Sequence, residues 1–358
     1  MKLREQATYD LMAVSSMGLR MTPPNRQPIG YENRLFELQT TSAETNVLSI
    51  SASLGLRTKV LSKFIKDNPF STIIRADLRA RGIEYEGIEV DPGGPWGFRH
   101  QINFADSGFG ARGPRVYNDR AGEVGRQLNA EDYDLDRIFG QEGCRILHIS
   151  GLVAAISEQT TRCCLEVARK AKQHGTAISF DLNFRKSFWM GREEELAAAF
   201  EEIASISDVL IGNEEDFQLA LGITGPEAGG SDIQDKVDGF RGMISKVQAR
   251  YPGTSVFATT LRQVNSANSH DWGALIFEGS NSYFEPLREI PVIDRIGGGD
   301  AFVGGMLYGL IKGWSAQECL KFGWATGAMC VSLLTDYAMP TDEEQIWSIY
   351  KGNARIKR

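Results

Sequence analysis

Short apolar runs of strand length alternate with helical patterns along most of this 358-residue chain, and that alternation constrains its fold more than any other feature. A strand that leads into a helix and then another strand cannot turn straight back on itself. The connection crosses over, so the strands lie parallel and the helices cover the sheet. Residues 11–14 read as a first strand and 43–54 as a helix ended by Gly55. Residues 58–61 read as a strand and 69–81 as a helix closed by Gly82. The order returns with strands at 145–149, 177–181, 208–211 and 255–259, and with helices at 158–173, 194–203, 214–221 and 236–250. Three helical patterns, 300–312, 315–332 and 342–351, fill the last part. Two stretches, 32–41 and 85–118, carry strand and loop signals with no helix between them. Gly229-Gly230-Ser231 reads as a surface loop and not as a domain linker.

Charge and cysteine usage narrow the function classes. A net charge of -7 and a pI near 5.4 argue against nucleic acid as the main partner. Five cysteines, an odd number, show no C-x-x-C and no zinc spacing, so reduced thiols in a cytoplasmic protein are the expectation. The longest apolar run, near 301–311, is too short to span a bilayer, and residues 1–5 lead into no apolar signal core.

The densest chemistry is the string Asp294-Arg295-Ile296-Gly297-Gly298-Gly299-Asp300-Ala301-Phe302-Val303-Gly304-Gly305. Glycine has no Cβ, so Gly297, Gly298 and Gly299 can aim consecutive backbone N–H groups into one small space. A helix starting at Asp300 adds its own unpaired N–H groups and the positive end of its dipole. The result is an anion hole suited to phosphate, with a carboxylate at its mouth that is a good proton acceptor. Together these point to phosphoryl transfer to a hydroxyl. Taken alone, three glycines before a helix read as a tight turn and the aspartate as a cap.

Other clusters fall at predicted strand ends, where side chains reach a ligand crevice. Asp181-Leu182-Asn183-Phe184-Arg185 is one; as a bland alternative it is a capped turn with a surface arginine. Asn213-Glu214-Glu215-Asp216 is another, and three acids opening a helix are also ordinary dipole chemistry. There is no G-x-x-x-x-G-K-[ST], no H-E-x-x-H and no G-x-S-x-G. His148, inside an apolar run, reads as a core residue.

The glycine string resembles the second signature of the PfkB/ribokinase family of sugar kinases. Asp294, Gly297, Gly299, Asp300, Phe302 and Gly304 fall in register, while Arg295 and Gly298 replace the usual threonine and alanine. The D-R-x-G-G-G-D form is similar to the branch that includes 2-keto-3-deoxygluconate kinases. The 181–185 cluster, with Trp189 after it, resembles that branch's D-x-N-x-R element. Asn213 to Asp216 resembles N-x-x-E, with aspartate in the fourth place. Thr259-Thr260-Leu261-Arg262 and the polar loop to Trp272 resemble the nucleotide-side segment.

The resemblance implies a ribokinase-like α/β fold in one domain, 1–358, with a small β-sheet lid from about 32–41 and 85–118. It implies ATP and Mg²⁺, with Asp300 as base and the amides of Gly297, Gly298 and Gly299 as the hole. Thr41, Ser42, Asn46, Arg99, Arg120 and Arg185 would meet the sugar. Asn183, Asn213, Thr260, Arg262, Gly299 and Asp336 would meet the nucleotide, and Asn213 and Asp216 the metal region. The expected partner is a small sugar or sugar acid, with a homodimer through the lid. Some positions depart from the relatives. Ser15-Ser16 stands for their Gly-Glu, Thr41-Ser42 for Gly-Gly, and Asn118 and Glu123-Val124 for lid Tyr and Ser-Ala; Arg99 is expected at the place of an upstream tyrosine. The phosphoryl-transfer half is kept and the sugar-recognition half is altered. The expectation is an ATP-dependent kinase of a sugar acid similar to 2-keto-3-deoxygluconate, with a catalytically weak binding protein and a neutral-sugar kinase as the alternatives.

Overall fold

The computed structural model describes residues 1–30, 32, 34–225 and 233–353; the loop expected at 229–231 lies outside them. Along the chain come β1 (Tyr9–Val14), β2 (Gly18–Thr22), β3 (Glu37–Thr41), α1 (Ala43–Ser53), β4 (Thr58–Ile65), α2 (Pro69–Ala80) and β5 (Ile83–Val90). Then follow β6 (Gln101–Asp106), β7 (Arg115–Asp119), β8 (Cys144–Ser150), α3 (Gly151–Ala154), α4 (Glu158–Gln173) and β9 (Ala177–Asp181). Next are α5 (Lys186–Trp189), α6 (Glu193–Ile206), β10 (Val209–Ile211), α7 (Glu214–Leu221) and α8 (Ile233–Arg250). The last are β11 (Val256–Ser266), β12 (Ser269–Glu278), β13 (Asn281–Pro291), α9 (Gly298–Lys312), α10 (Ala316–Cys330) and α11 (Glu343–Tyr350).

Nine strands form one sheet in the order β13-β12-β11-β10-β9-β8-β1-β4-β5. Strands β11 through β5 in that order run parallel, and β12 and β13 add an antiparallel edge. Period-two burial sorts side chains between two helix layers. Met12 and Val14 pack with α4 and α6, whereas Leu11 and Ala13 pack with α1, α9 and α10. A second sheet, β3-β2-β6-β7, stands apart.

The mostly parallel, helix-covered sheet with a small separate sheet agrees with the expected fold. Two boundaries differ. Residues 85–90 of the expected lid belong to β5, paired with β4 at the edge of the large sheet, while Gly18–Thr22 supplies a central strand of the small sheet. The polar loop expected after Thr259 is the outer half of a β11-β12 hairpin. Its outer residues are mostly exposed, so their polarity reflects solvent and not the lack of a strand.

Helix α9 is wedged between α1 and α10. A Cβ on Gly304 would come 2.6 Å from the Val47 carbonyl oxygen of α1, so glycine sets that close approach. On the other side, Thr326 Oγ1 donates to the Ala301 carbonyl at 2.7 Å. All five cysteines are free and buried. Among the described residues no helix is long and apolar enough to cross a membrane.

Candidate active site

Parallel strands end together, so whatever follows them converges. Ser15 and Ser16 follow β1, Asp181 closes β9 and Asn213 follows β10. The starts of α1 and α9 meet them, and the small sheet stands alongside. Between these parts lies a cavity of about 530 Å³. It is lined by Thr41, Ser42, Asn46, Arg120, Asn183, Arg185, Asn213, Asp216, Thr260, Arg262, Gly297, Gly299, Asp300 and Asp336. The site residues expected from sequence thus gather in one place, with two exceptions.

Arg99 is the first exception. It lies outside the cavity, half exposed, paired with Asp119 and donating to the Ala121 carbonyl. Gly298 is the second. It is buried in the first turn of α9, and a Cβ there would come 2.6 Å from Val331 Cγ1. Its missing side chain therefore serves packing, and only its amide can serve the hole. The helix starts at Gly298, two residues before the expected Asp300. Gly297 caps it with φ of 82°, a left-handed conformation in which a Cβ would also collide with the Asp336 carbonyl. A Cβ on Gly299 meets nothing within 4 Å. The amides of Gly298, Gly299 and Asp300 are first-turn donors with no carbonyl one turn earlier.

Asp300 Oδ2 accepts a hydrogen bond from Asn46 Nδ2 at 2.9 Å. Burial raises the Asp300 carboxyl to about 7; the Glu44 and Asp336 carboxylates push the same way, while the Asn46 amide and Arg185 oppose. A carboxylate poised near neutrality is suited to accept a proton from a bound hydroxyl. Asp181, not chosen from sequence as a site residue, lines the same cavity. Its carboxyl is raised well above the usual range by burial and by Asp216 and Asp300. Its position at a strand end was the signal that could have found it.

Asn213 and Asp216 do not form a metal cage. Asn213 Oδ1 accepts from the amides of Glu215 and Asp216 at 2.8 and 2.9 Å, capping α7. Asp216 returns the bond to the Asn213 amide at 2.9 Å and accepts the Phe184 amide at 2.9 Å. The expected metal pair is therefore a capping box that also ties down the 181–185 turn. Asn183 sits in that turn at φ 37°, its amide held by Asp181 Oδ1 at 3.1 Å. Among the described residues no group of three or more His, Cys, Asp or Glu could hold a metal directly.

Asp336 is not a free nucleotide contact either. It pairs with the guanidinium of Arg20, which also grips Asp294, all three buried. Thr41 Oγ1 donates to Asp336 at 2.7 Å and Ser107 Oγ to Asp294 at 2.6 Å. This strut fastens the small sheet to both flanks of the glycine turn. Ser42 caps α1 at the Thr45 amide (3.0 Å) and lies 2.6 Å from the Ser15 hydroxyl. Ser15 also donates to Glu44 at 2.7 Å. The two serines thus support a buried Glu44, whose carboxyl burial pushes up.

The arginines divide. Arg120 is paired with Glu123, at 2.8 and 3.0 Å, and lies over the Phe188 ring. Arg185, Arg262 and Arg295 line the cavity with no carboxylate partner among the described residues. Arg262 is pushed down to about 10 by burial and by Arg295 beside it. Arg295, read from sequence only as a departure from threonine, is therefore a site residue. His148 is a buried core residue as expected, 3.1 Å from Ser179 Oγ.

Residues 43–342 match the family model described as pfkB family carbohydrate kinase. The chain is 27% identical over 352 residues to 2-dehydro-3-deoxygalactonokinase of Haloferax volcanii, covering 98% of this chain and 100% of that protein. The crystal structure of 2-dehydro-3-deoxygluconokinase from Thermotoga maritima superposes with a TM-score of 0.86 at 26% identity, covering 96% of this chain and all of that one. A putative ribokinase II from E. coli, solved with ATP and Mg²⁺, has the same fold at TM-score 0.75 and 17% identity, covering 96% and 99% of the two chains.

Proposed function

The chain belongs to the pfkB family of carbohydrate kinases, and we propose that it transfers the γ-phosphoryl group of ATP to a hydroxyl of a sugar acid, aldonic or keto-deoxy. The observation that carries this reading is the pairing of Asp300, raised to about 7, with the free first-turn amides of α9 in one cavity. One group takes a proton while the other receives negative charge.

The residues fit ATP. Three arginines without carboxylate partners stand beside a helix N-terminus, and their charge complements the polyphosphate of ATP. Bound there, ATP supplies the phosphoryl group and Mg²⁺ offsets phosphate charge. Magnesium keeps much of its water shell, so Asn213 and Asp216 would hold it through water. Gly299, Thr260, Arg262 and Arg295 would face the phosphates. Asn46 orients the Asp300 carboxylate toward the acceptor hydroxyl, and Asp300 takes that hydroxyl's proton. Arg185, which has no ion-pair partner, would hold the substrate carboxylate with two parallel bonds; Arg120, already paired with Glu123, would add less. The small sheet would act as the lid that keeps water out.

A coupled assay of ADP release over matched sugar acids and neutral sugars tests this. Acids should be preferred, and Arg185→Met should erase more of that preference than Arg120→Met. A preference for neutral sugars that survives both changes would overturn the sugar-acid reading. We also propose pairing of two copies through the small sheet, whose edge strands expose Leu38, Val116 and Tyr117. Sedimentation of wild type against Tyr117→Glu tests it: a dimer lost in the variant supports the pairing, and a wild-type monomer refutes it.

A further inference from the structure

Gln101 and Asn103 are two residues apart on β6, so they share one face of the strand. Both line the cavity. Opposite Asn103 on β7 stands Asn118, which lines it too. Gln101 Oε1, Asn103 Oδ1, Glu44 Oε1 and Asn46 Oδ1 are enclosed with no protein partner among the described residues. Gln101, Glu44 and Asn46 keep only 3%, 2% and 3% of their surface. The seat for Gln101 is built: a Cβ at Gly18 would collide with its side chain, so only glycine fits beneath it.

Buried polar atoms in native proteins are nearly always satisfied. The three carboxamide oxygens among these ask for donors from a ligand. A carboxylate or a methylene offers none. A hydroxyl donates and accepts, so it suits either end of a carboxamide, whichever way the amide is turned.

We propose that Gln101 and Asn103, with Asn118 opposite, form a hydroxyl-reading wall, and that the preferred substrate is a fully hydroxylated sugar acid and not a deoxy acid. The proposal rests on the sugar-kinase reading for the reaction, but ligand preference is measurable without turnover. A site built around substrate hydroxyls discriminates steeply against the analogue that lacks one, because its own polar groups are left unpaired.

The test is calorimetric binding in the presence of a non-hydrolysable ATP analogue, with ADP release measured in parallel. Two matched pairs serve: 2-ketogluconate against 2-keto-3-deoxygluconate, and 5-ketogluconate against 5-keto-2-deoxygluconate. The hydroxylated member of at least one pair should bind about ten- to a hundredfold tighter. Gln101→Met and Asn103→Leu should narrow that gap by weakening the hydroxylated acid, with binding of the ATP analogue unchanged. If either variant fails to fold, the wild-type comparison decides. Equal or tighter binding of both deoxy acids, no binding of any of the four acids, or a preference that survives both variants overturns the wall. Preference in binding with no ADP release keeps the wall and refutes the kinase reading; ADP release with no preference does the reverse.

Discussion

The Asp300 carboxyl is poised near neutrality, and that has two consequences. Burial and the neighbouring Glu44 and Asp336 carboxylates raise it to about 7. As a base it must be deprotonated, so kcat/KM should climb with pH up to about 7 and then level. The stability consequence has the opposite sense. A carboxyl whose folded-state value is raised contributes stability that is fully present below the ordinary carboxylate range and is lost as pH rises through about 7. Asp300→Asn has no such loss. The Tm of this variant minus that of wild type should therefore grow from pH 4 to pH 8. Thermal melts across that range check it, and a difference that stays flat would show that Asp300 ionises normally. Residue-scale features of this kind were partly legible. Asp300 stood out because glycines and an acid abut in sequence. Its shift did not, because it comes from burial and from the Glu44 and Asp336 carboxylates, which the fold brings in from distant parts of the chain.

Helix α9 holds the base only because α1 lies close against it. The Asn46–Asp300 bond of 2.9 Å spans the two helices, and Gly304 sets their separation. Gly304→Ala should push α1 outward against the Val47 carbonyl. We expect a loss of about 1–3 kcal/mol from overpacking, with a fall in kcat although no atom of the site has changed. Gly299→Ala, whose Cβ would meet nothing, should keep wild-type stability. Urea unfolding with parallel rate measurements separates the two; equal stability of Gly304→Ala and wild type would contradict the packing argument. Elements closed by caps were the most legible. The helices expected at 158–173 and 214–221 have those bounds, the first opened by Ser157 and the second by Asn213. The β12-β13 edge was missed, since β12 is buried along most of its length and its continuous apolar run shows no strand alternation, while β13 is partly exposed. The cap that marked α7 also occupies the residues expected in the metal region: the oxygens of Asn213 and Asp216 accept backbone amides, which leaves them a role toward a metal only through water.

At the scale of the whole molecule, the Arg20 strut joins the small sheet to the catalytic turn. Arg20→Met would leave Asp294 and Asp336 buried without their cation. Breaking a buried ion pair from one side costs about 3–5 kcal/mol, so the variant should unfold at clearly lower urea; unchanged stability would mean the carboxylates find other partners. None of this could be read locally, because residues 20, 294 and 336 meet only after the sheet has formed. Arg99 failed for a related reason: it precedes β6, which begins at Gln101, and its guanidinium is held by Asp119 and the Ala121 carbonyl from the far side of the β6-β7 turn. The alternation of strands and helices, by contrast, is a property of the entire chain and was legible throughout. The most direct measurement is steady-state ADP formation by wild type and Asp300→Asn on the same sugar acid, with the acid's binding followed separately. The account predicts that the variant binds the acid but turns over about 10²–10⁴ times more slowly. Turnover by Asp300→Asn at the wild-type rate would contradict it.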